Sequence, residues 1–321
     1  VLSEASPQQR LAALDELAET YVHAQRPANT RRAYAGDWHV WEDYTRAVGI
    51  PLYAATTGSL VGFVRWLETV KQAAPATIDR RLTGAVAGLR HYRVPVTPEA
   101  TRAAWEALRG YRRRLAEAGQ HRGRGQATAI THTDLRAVLE ACPATRAGTR
   151  DRALLLVGLA IAARRSDLAN LLTSDIHTTS QGLIITVRHG KTTGQMAVPA
   201  GRHPDTCPVR AWHTWQETAG LTTDGPAFRR IDRWDHLHPA GLSPQAIGDI
   251  ITRAGQRADL PYRLTGHSLR AGMATTARQA GATDIAIADQ GRWQRGSYAL
   301  YQYLRRVDQF GHDNAAGKLG L

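Results

Sequence analysis

Along most of this chain apolar residues recur every three to four positions, and that period predicts helices. In the first third, Leu11, Leu14 and Leu17 follow a start at Ser6-Pro7, while Tyr34, Trp38, Trp41 and Tyr44 follow one at Ala28-Asn29-Thr30. Leu60, Phe63, Val64 and Leu67 are the apolar stripe of a helix over 57–70, and Pro75-Ala76-Thr77 and Thr97-Pro98-Glu99 start two more. The aromatic stripe reads as core, because a 3.6-residue period is what packing against other helices produces. Residues 1–118 are therefore expected to form a small helical domain.

The pattern breaks over 119–129. Gly119-Gln120-His121-Arg122-Gly123-Arg124-Gly125-Gln126 offers nothing to a core and reads as a basic, flexible linker. A second domain is expected over 130–321. Thr131-His132-Thr133-Asp134 is a helix start, and 150–163 is apolar on every side through Leu154, Leu155, Leu156, Val157, Leu159 and Ile161. That predicts a central buried helix. The period then falls to two: 183–187 and 195–198 read as strands of a hairpin, with Lys191 in its turn. Residues 206–263 read as further helices, one of them starting at Cys207-Pro208 and carrying Trp212 and Trp215. Asp235, His236 and His238 read as loop surface and not as a metal site. A last helix starts at Ser297 and carries Tyr298, Tyr301 and Tyr303.

Composition narrows the class. The 321 residues exceed one ordinary core and suit two domains. With 43% hydrophobic residues but no apolar run of about 18, the chain is globular and carries no membrane helix signal. Its start at Val1 shows no signal-peptide progression, so a cytoplasmic location is expected. Two cysteines make neither a disulfide framework nor a zinc pattern. A formal net charge of +13 points to a polyanionic partner. Lysine occurs only at 71, 191 and 318, so nearly all that charge is guanidinium, which suits forked contacts with phosphate. Arg31, Arg32, Arg80, Arg81, Arg112 and Arg113 recur near helix ends, and Arg122 and Arg124 lie in the linker. Together they predict a clamp on double-stranded DNA.

Chemistry concentrates late in the chain. Thr265-Gly266-His267-Ser268-Leu269-Arg270 is followed by Gly291-Arg292-Trp293 and then by the tyrosines near 300. His267 and Arg270, three apart, share a helix face and can reach one phosphate. Earlier in the chain, Arg164 ends the central helix and Lys191 sits in the hairpin turn. The order Arg164, Lys191, His267, Arg270, Trp293, tyrosine resembles the tyrosine recombinase, or phage integrase, family, with Trp where many members carry a second histidine. Asn29-Thr30-Arg31-Arg32-Ala33-Tyr34 looks like the start of that family's core-binding domain. Ala163-Arg164-Arg165-Ser166-Asp167-Leu168 looks like its first arginine box, and His267-Ser268-Leu269-Arg270 like its second.

The resemblance implies a mainly α fold: a helical, SAM-like core-binding domain and a mixed α/β catalytic domain of the DNA breaking-rejoining type with a small antiparallel sheet. It implies a site-specific DNA recombinase that cuts and rejoins strands through a 3′-phosphotyrosyl intermediate with no cofactor and no metal. It also implies a homotetramer on DNA, a C-terminal tail over 307–321 that docks on a neighbouring protomer, and accessory directionality proteins as further partners. Arg164 and Arg270 would stabilise charge on the phosphate oxygens. Lys191 would protonate the leaving 5′-oxygen, which arginine cannot do. His267 would take the tyrosine proton or donate to a phosphate oxygen, and Trp293 would donate its one N–H. Tyr301 and Tyr303 point roughly 200° apart on a helix, so only one faces the phosphate. Tyr303 shares its face with Leu300, Leu304 and Val307 and begins a Tyr-aliphatic-Arg ending, which makes it the expected nucleophile. Asp167 stands where Glu is commoner, and Arg165 where an aliphatic residue is usual. A type IB topoisomerase, a telomere resolvase and a non-catalytic DNA-binding regulator are the competing readings.

Overall fold

Threonines and prolines placed ahead of apolar periods start most helices of this chain, as the computed structural model of residues 6–25, 28–123, 125–188, 192–221, 225–304 and 319 shows. The chain divides into two units, Val1–Gly125 and Gln126–Leu321. In the first, α1 (Pro7–Gln25), α2 (Ala28–Val48), α3 (Thr57–Thr69), α4 (Pro75–His91) and α5 (Pro98–Glu117) follow one another. Thr56 and Thr97 cap α3 and α5 by accepting the N–H of Ser59 and Ala100, contacts that contribute about 1 kcal/mol each. Helix α2 packs on α4, and α3 on α5. Between them lie Trp41, Tyr44 and Phe63, with ring centroids 5.1 to 5.4 Å apart. Trp38 lies so close to α4 that a Cβ at Gly88 would come within 2.2 Å of its ring, so glycine is required there. Trp38, Trp41 and Tyr44 are buried as their spacing predicts. Leu11, Leu14 and Leu17 of α1 are not: each is about 60% exposed (60%, 58% and 65%), so their periodicity is not matched by burial among the described residues.

The second unit is built around α7 (Arg146–Ala160), whose Leu154, Leu155, Leu156 and Val157 are all buried. It packs against α9 (Pro208–Ala219) and α11 (Gly266–Gln279). Also present are α6 (His132–Glu140), α8 (Arg165–Asn170), α10 (Pro244–Arg257), α12 (Asp284–Gly291) and α13 (Tyr298–Leu304). The central helix differs from its expected bounds at both ends. It starts four residues earlier because the Thr145 side chain accepts the Gly148 N–H. It stops at Ala160 because Ala162 turns into the left-handed region at φ 45°, and the Ala163 N–H closes back on Gly158 O at 2.8 Å.

A three-stranded antiparallel sheet follows, in the order β1 (Ile176–Thr179), β2 (Gly182–Val187), β3 (Gly194–Pro199). Leu183 pairs with Val198 and Ile185 with Met196, and these four side chains face the core. Strand β1 was not expected, since Ile-His-Thr-Thr has one apolar residue and only that residue is buried. Nor was the second hairpin, β4 (Arg229–Ile231) with β5 (Leu237–Gly241), which interrupts a region read as helical. Its turn places His236 at the surface, where His236 and His238 both approach Asp232 Oδ2, at 3.2 and 3.3 Å.

Candidate active site

The left-handed turn after α7 does two things at once. It exposes the Ala162 carbonyl to Arg270, whose Nη1 donates to it at 2.6 Å, and it starts the extended segment ending in Arg164. Arg164 stands at the N-terminus of α8, its N–H donating to Asp167 Oδ2 at 3.1 Å and its Nη1 to Thr192 Oγ1 at 2.8 Å. Its side chain keeps 21% of its surface in water. Asp167 below it is fully buried, and one of its oxygens, Oδ1, has no hydrogen-bond partner.

Helix α11 delivers the next two groups. His267 and Arg270 lie in its first turns, as the three-residue spacing requires. Arg270 is buried, its guanidinium carbon 3.8 Å from the centroid of the Trp293 ring, and its Nη2 has no partner. Burial first, then Arg164 and Arg292, pull its pKa down to about 9. It still holds its proton at neutral pH, but it is a cation in a space short of anions. His267 is exposed at its surface, and partial desolvation of its ring first, then Arg270, Arg165 and Arg164, hold it below its usual 6.5. At pH 7 its ring is neutral and can accept a proton.

Trp293 is half-buried and joins the two sides of the site. One neighbour is the Arg270 guanidinium, and another is the Tyr303 ring, 6.0 Å away at 56°. A face-on contact with arginine is a role for the indole that its single N–H donor did not suggest. Tyr303 packs half-buried with Leu300 and Leu304 against Ala162, Met273 and Ile287, and its phenol contributes to the field at Arg270. Tyr301 is 41% exposed. The structure thus gathers Arg164, His267, Arg270, Trp293 and Tyr303 into one place. Lys191, Arg124 and the 307–321 tail, apart from Leu319, lie outside the described residues.

One member went unread in the sequence. Arg292 is buried at 7% exposure, sits in the left-handed region at φ 52° as the C-cap of α12, and donates from Nη2 to Asp167 Oδ2 at 2.5 Å. A lone arginine between Gly291 and Trp293 carries no periodic signal, and its inward path depends on a backbone turn that arginine rarely takes.

The basic clusters of the first unit are arranged differently. Arg80 meets buried Asp37 at 2.5 Å, Arg112 meets Asp79 at 2.7 Å, and Arg113 lies 4.0 Å from Glu117. Arg32 donates to Asn29 Oδ1 at 3.0 Å, and Arg122 to the Glu68 carbonyl at 3.3 Å. Arg81 is half-buried beside Arg80 and Asp37, its pKa lowered by burial and by Arg80. Arg31 is exposed on α2.

A mainly helical unit carrying a small antiparallel sheet thus places two arginines, a histidine and a phenol around one position, a set whose chemistry suits a phosphodiester. Residues 128–309 match the phage integrase family, and the chain belongs to that family. It is 29% identical over 314 residues to an "Integrase/recombinase xerD homolog" from Selenomonas ruminantium, covering 94% of this chain and 88% of that protein. Among solved structures, the Tn1549 transposon integrase in complex with transposon right-end DNA superposes with a TM-score of 0.63 at 13% identity, over 94% of this chain and 96% of that one. A lambda integrase (75-356) dimer bound to a COC′ core site gives 0.60 at 15% identity, over 94% and 95%. A lambda integrase tetramer bound to a Holliday junction gives 0.55 at 15% identity, over 91% and 76%. Among the described residues, no helix is long and apolar enough to cross a membrane.

Proposed function

We infer that this protein is a site-specific DNA recombinase that cleaves and rejoins strands through a 3′-phosphotyrosyl intermediate, as a homotetramer on two recombining sites. The observation that carries this is the surplus of guanidinium over carboxylate around Trp293, with a phenol packed on the same indole. A phosphodiester entering there meets Arg164 and Arg270, whose fixed charge stabilises the added negative charge of the transition state more than that of the ground state. The Tyr303 oxygen attacks phosphorus, the bond to the 5′-oxygen breaks, and the tyrosine proton passes to neutral His267. Lys191 supplies the proton that the leaving 5′-oxygen takes. Attack by a 5′-hydroxyl from the other duplex reverses each step and joins the exchanged strand.

The arginines of the first unit, with Arg122 and Arg124, are proposed to hold the duplex by its phosphates, fixing register without reading bases. The tail over 307–321 is proposed to dock on a neighbouring protomer, and accessory proteins to set direction. Lambda integrase as a tetramer on a Holliday junction supports the assembly.

The test is a nicked duplex carrying the site mapped in the source replicon, with products run on a denaturing gel. Wild-type protein forms a covalent adduct; Tyr303→Phe forms none and Tyr301→Phe keeps it. Loss in Tyr301→Phe with retention in Tyr303→Phe reassigns the nucleophile within α13. No adduct from wild-type protein overturns the recombinase reading, and relaxation of one plasmid without exchange between two sites replaces it with a topoisomerase.

A further inference from the structure

Three guanidiniums, of Arg164, Arg270 and Arg292, surround one buried carboxylate, Asp167, and they are not equivalent. Arg292 shows only 4% of its side chain to solvent, too little to lie against a DNA phosphate. Its Nη2 is 2.5 Å from Asp167 Oδ2, its Nη1 touches Met196 Sδ at 3.0 Å, and its Nε has no partner. The same Asp167 oxygen takes the Arg164 backbone N–H at 3.1 Å yet stands 3.9 Å from Arg164 Nη1. One carboxylate oxygen therefore holds Arg292 tightly and the Arg164 guanidinium loosely.

We propose that Arg292 is a positioning residue of the DNA-cleavage site: it occupies Asp167, so that the Arg164 guanidinium stays turned toward Thr192 and the incoming phosphate. The inference rests on the recombinase reading above. A buried carboxylate without a partner is strongly disfavoured and draws in the nearest cation. With Arg292 gone, the nearest described one is Arg164, already within 4 Å. An Arg164 forked onto Asp167 has its charge cancelled and its donors used, and it is lost to the phosphate. The turn after α12 makes this arrangement possible, because the left-handed backbone at Arg292 sends its side chain inward while the next residue, Trp293, stacks on Arg270.

The experiment uses the full chain and the nicked duplex. Arg292→Met slows adduct formation about 10- to 100-fold, the range for removing a group that acts through a ligand-holding neighbour. Duplex affinity in a gel-shift stays at the wild-type value, because Arg292 is buried away from DNA. Adding Asp167→Asn to Arg292→Met restores most of the lost rate: the amide frees Arg164 yet keeps an oxygen for its backbone N–H. Because Asp167→Asn also relieves the unpaired buried charge, the urea midpoints of both variants are measured beside their rates: a rate that merely follows the midpoint marks a fold-supporting group and overturns the proposal. Wild-type rates in Arg292→Met, or a double variant no faster than the single one, overturn the proposal. Should Arg292→Met fail to fold by circular dichroism, Arg292→Lys with and without Asp167→Asn makes the same comparison, and absence of rescue there overturns it equally. Failure of wild-type protein to form any adduct strikes the recombinase reading instead, so the two failures are told apart.

Discussion

Both units of this molecule are rich in arginine, yet they use it in opposite ways. In the first, several arginines each meet a carboxylate, Arg80 with Asp37, Arg112 with Asp79 and Arg114 with Glu68, while Arg81 keeps a buried Nε without a partner. In the second, Arg164, Arg270 and Arg292 share Asp167, and buried Nη2 of Arg270 and Nε of Arg292 stay without partners. Arg112 and Arg114 form a surface whose charges are paired and remain available to a polyanion. The second holds surplus positive charge away from water, where a missing anion matters most. Counting arginines does not separate the two; counting the carboxylates around them does.

That contrast breaks if the second cluster proves replaceable. Arg270→Ala is expected to lower the rate of adduct formation by about 10²- to 10³-fold, the effect of removing one preorganised donor. Arg270→Lys is expected to recover little, because an ammonium cannot both stack flat on Trp293 and bond the Ala162 carbonyl in the same fork. Single-turnover cleavage on the nicked duplex measures both.

In the first unit the contrast is sharpened by two arginines with different partners. Arg80→Ala leaves buried Asp37 without its hydrogen-bonded cation, though Arg81 stays nearby, and should lower stability to urea by about 2 kcal/mol, less than for a fully buried pair because Arg80 is half in solvent. Arg113→Ala, 77% exposed and 4.0 Å from Glu117, should leave the urea midpoint unchanged. Its effect should appear in DNA binding, as a loss of about one from the slope of log affinity against log salt. Equal stability losses in the two variants would erase the distinction drawn between them.

The smallest effect concerns pH. His267 is held below 6.5 by partial desolvation of its ring and by Arg270, Arg165 and Arg164, so its protonated form is disfavoured in the folded protein. Its contribution to stability is therefore complete above pH 6.5 and is lost as pH falls through the lower, folded value. The acid limb of cleavage by the free protein should lie below pH 6.5, and His267→Gln should remove it. Bound phosphate compensates the guanidiniums, so the limb should move upward under saturating DNA. A limb above 6.5 in the free protein would mean that the surplus positive charge is not felt at His267.

Residue patterns alone located most helices here, because caps and 3.6-residue periods are local. Trp38, Trp41 and Tyr44 went into a core for that reason, and His267 and Arg270 share the first turns of α11 because three residues nearly close a helical turn. Strand β1 and the β4–β5 hairpin escaped the same reading, since Ile-His-Thr-Thr and Arg-Arg-Ile acquire strand geometry only from the neighbour they pair with. The leucines of α1 make the converse point: a period can be present while its residues stay exposed among the described residues.

Sequence by itself named Arg164, His267, Arg270, Trp293 and Tyr303 as candidates, because guanidinium, imidazole, indole and phenol are chemical identities that folding does not alter, but it did not name Arg292. Only tertiary structure decided their relations: that Trp293 lies face-on to Arg270, that Tyr303 packs on the same indole while Tyr301 stays exposed, and that Arg292 turns inward to Asp167. Arg292 meets Asp167 across 125 positions and through a left-handed turn at a residue that disfavours one, while the contacts of Trp293 with Arg270 and Tyr303 need α11, α13 and the turn after α12 to be packed together. Neither leaves a trace in local composition, because the energy that fixes it comes from burial across the whole unit.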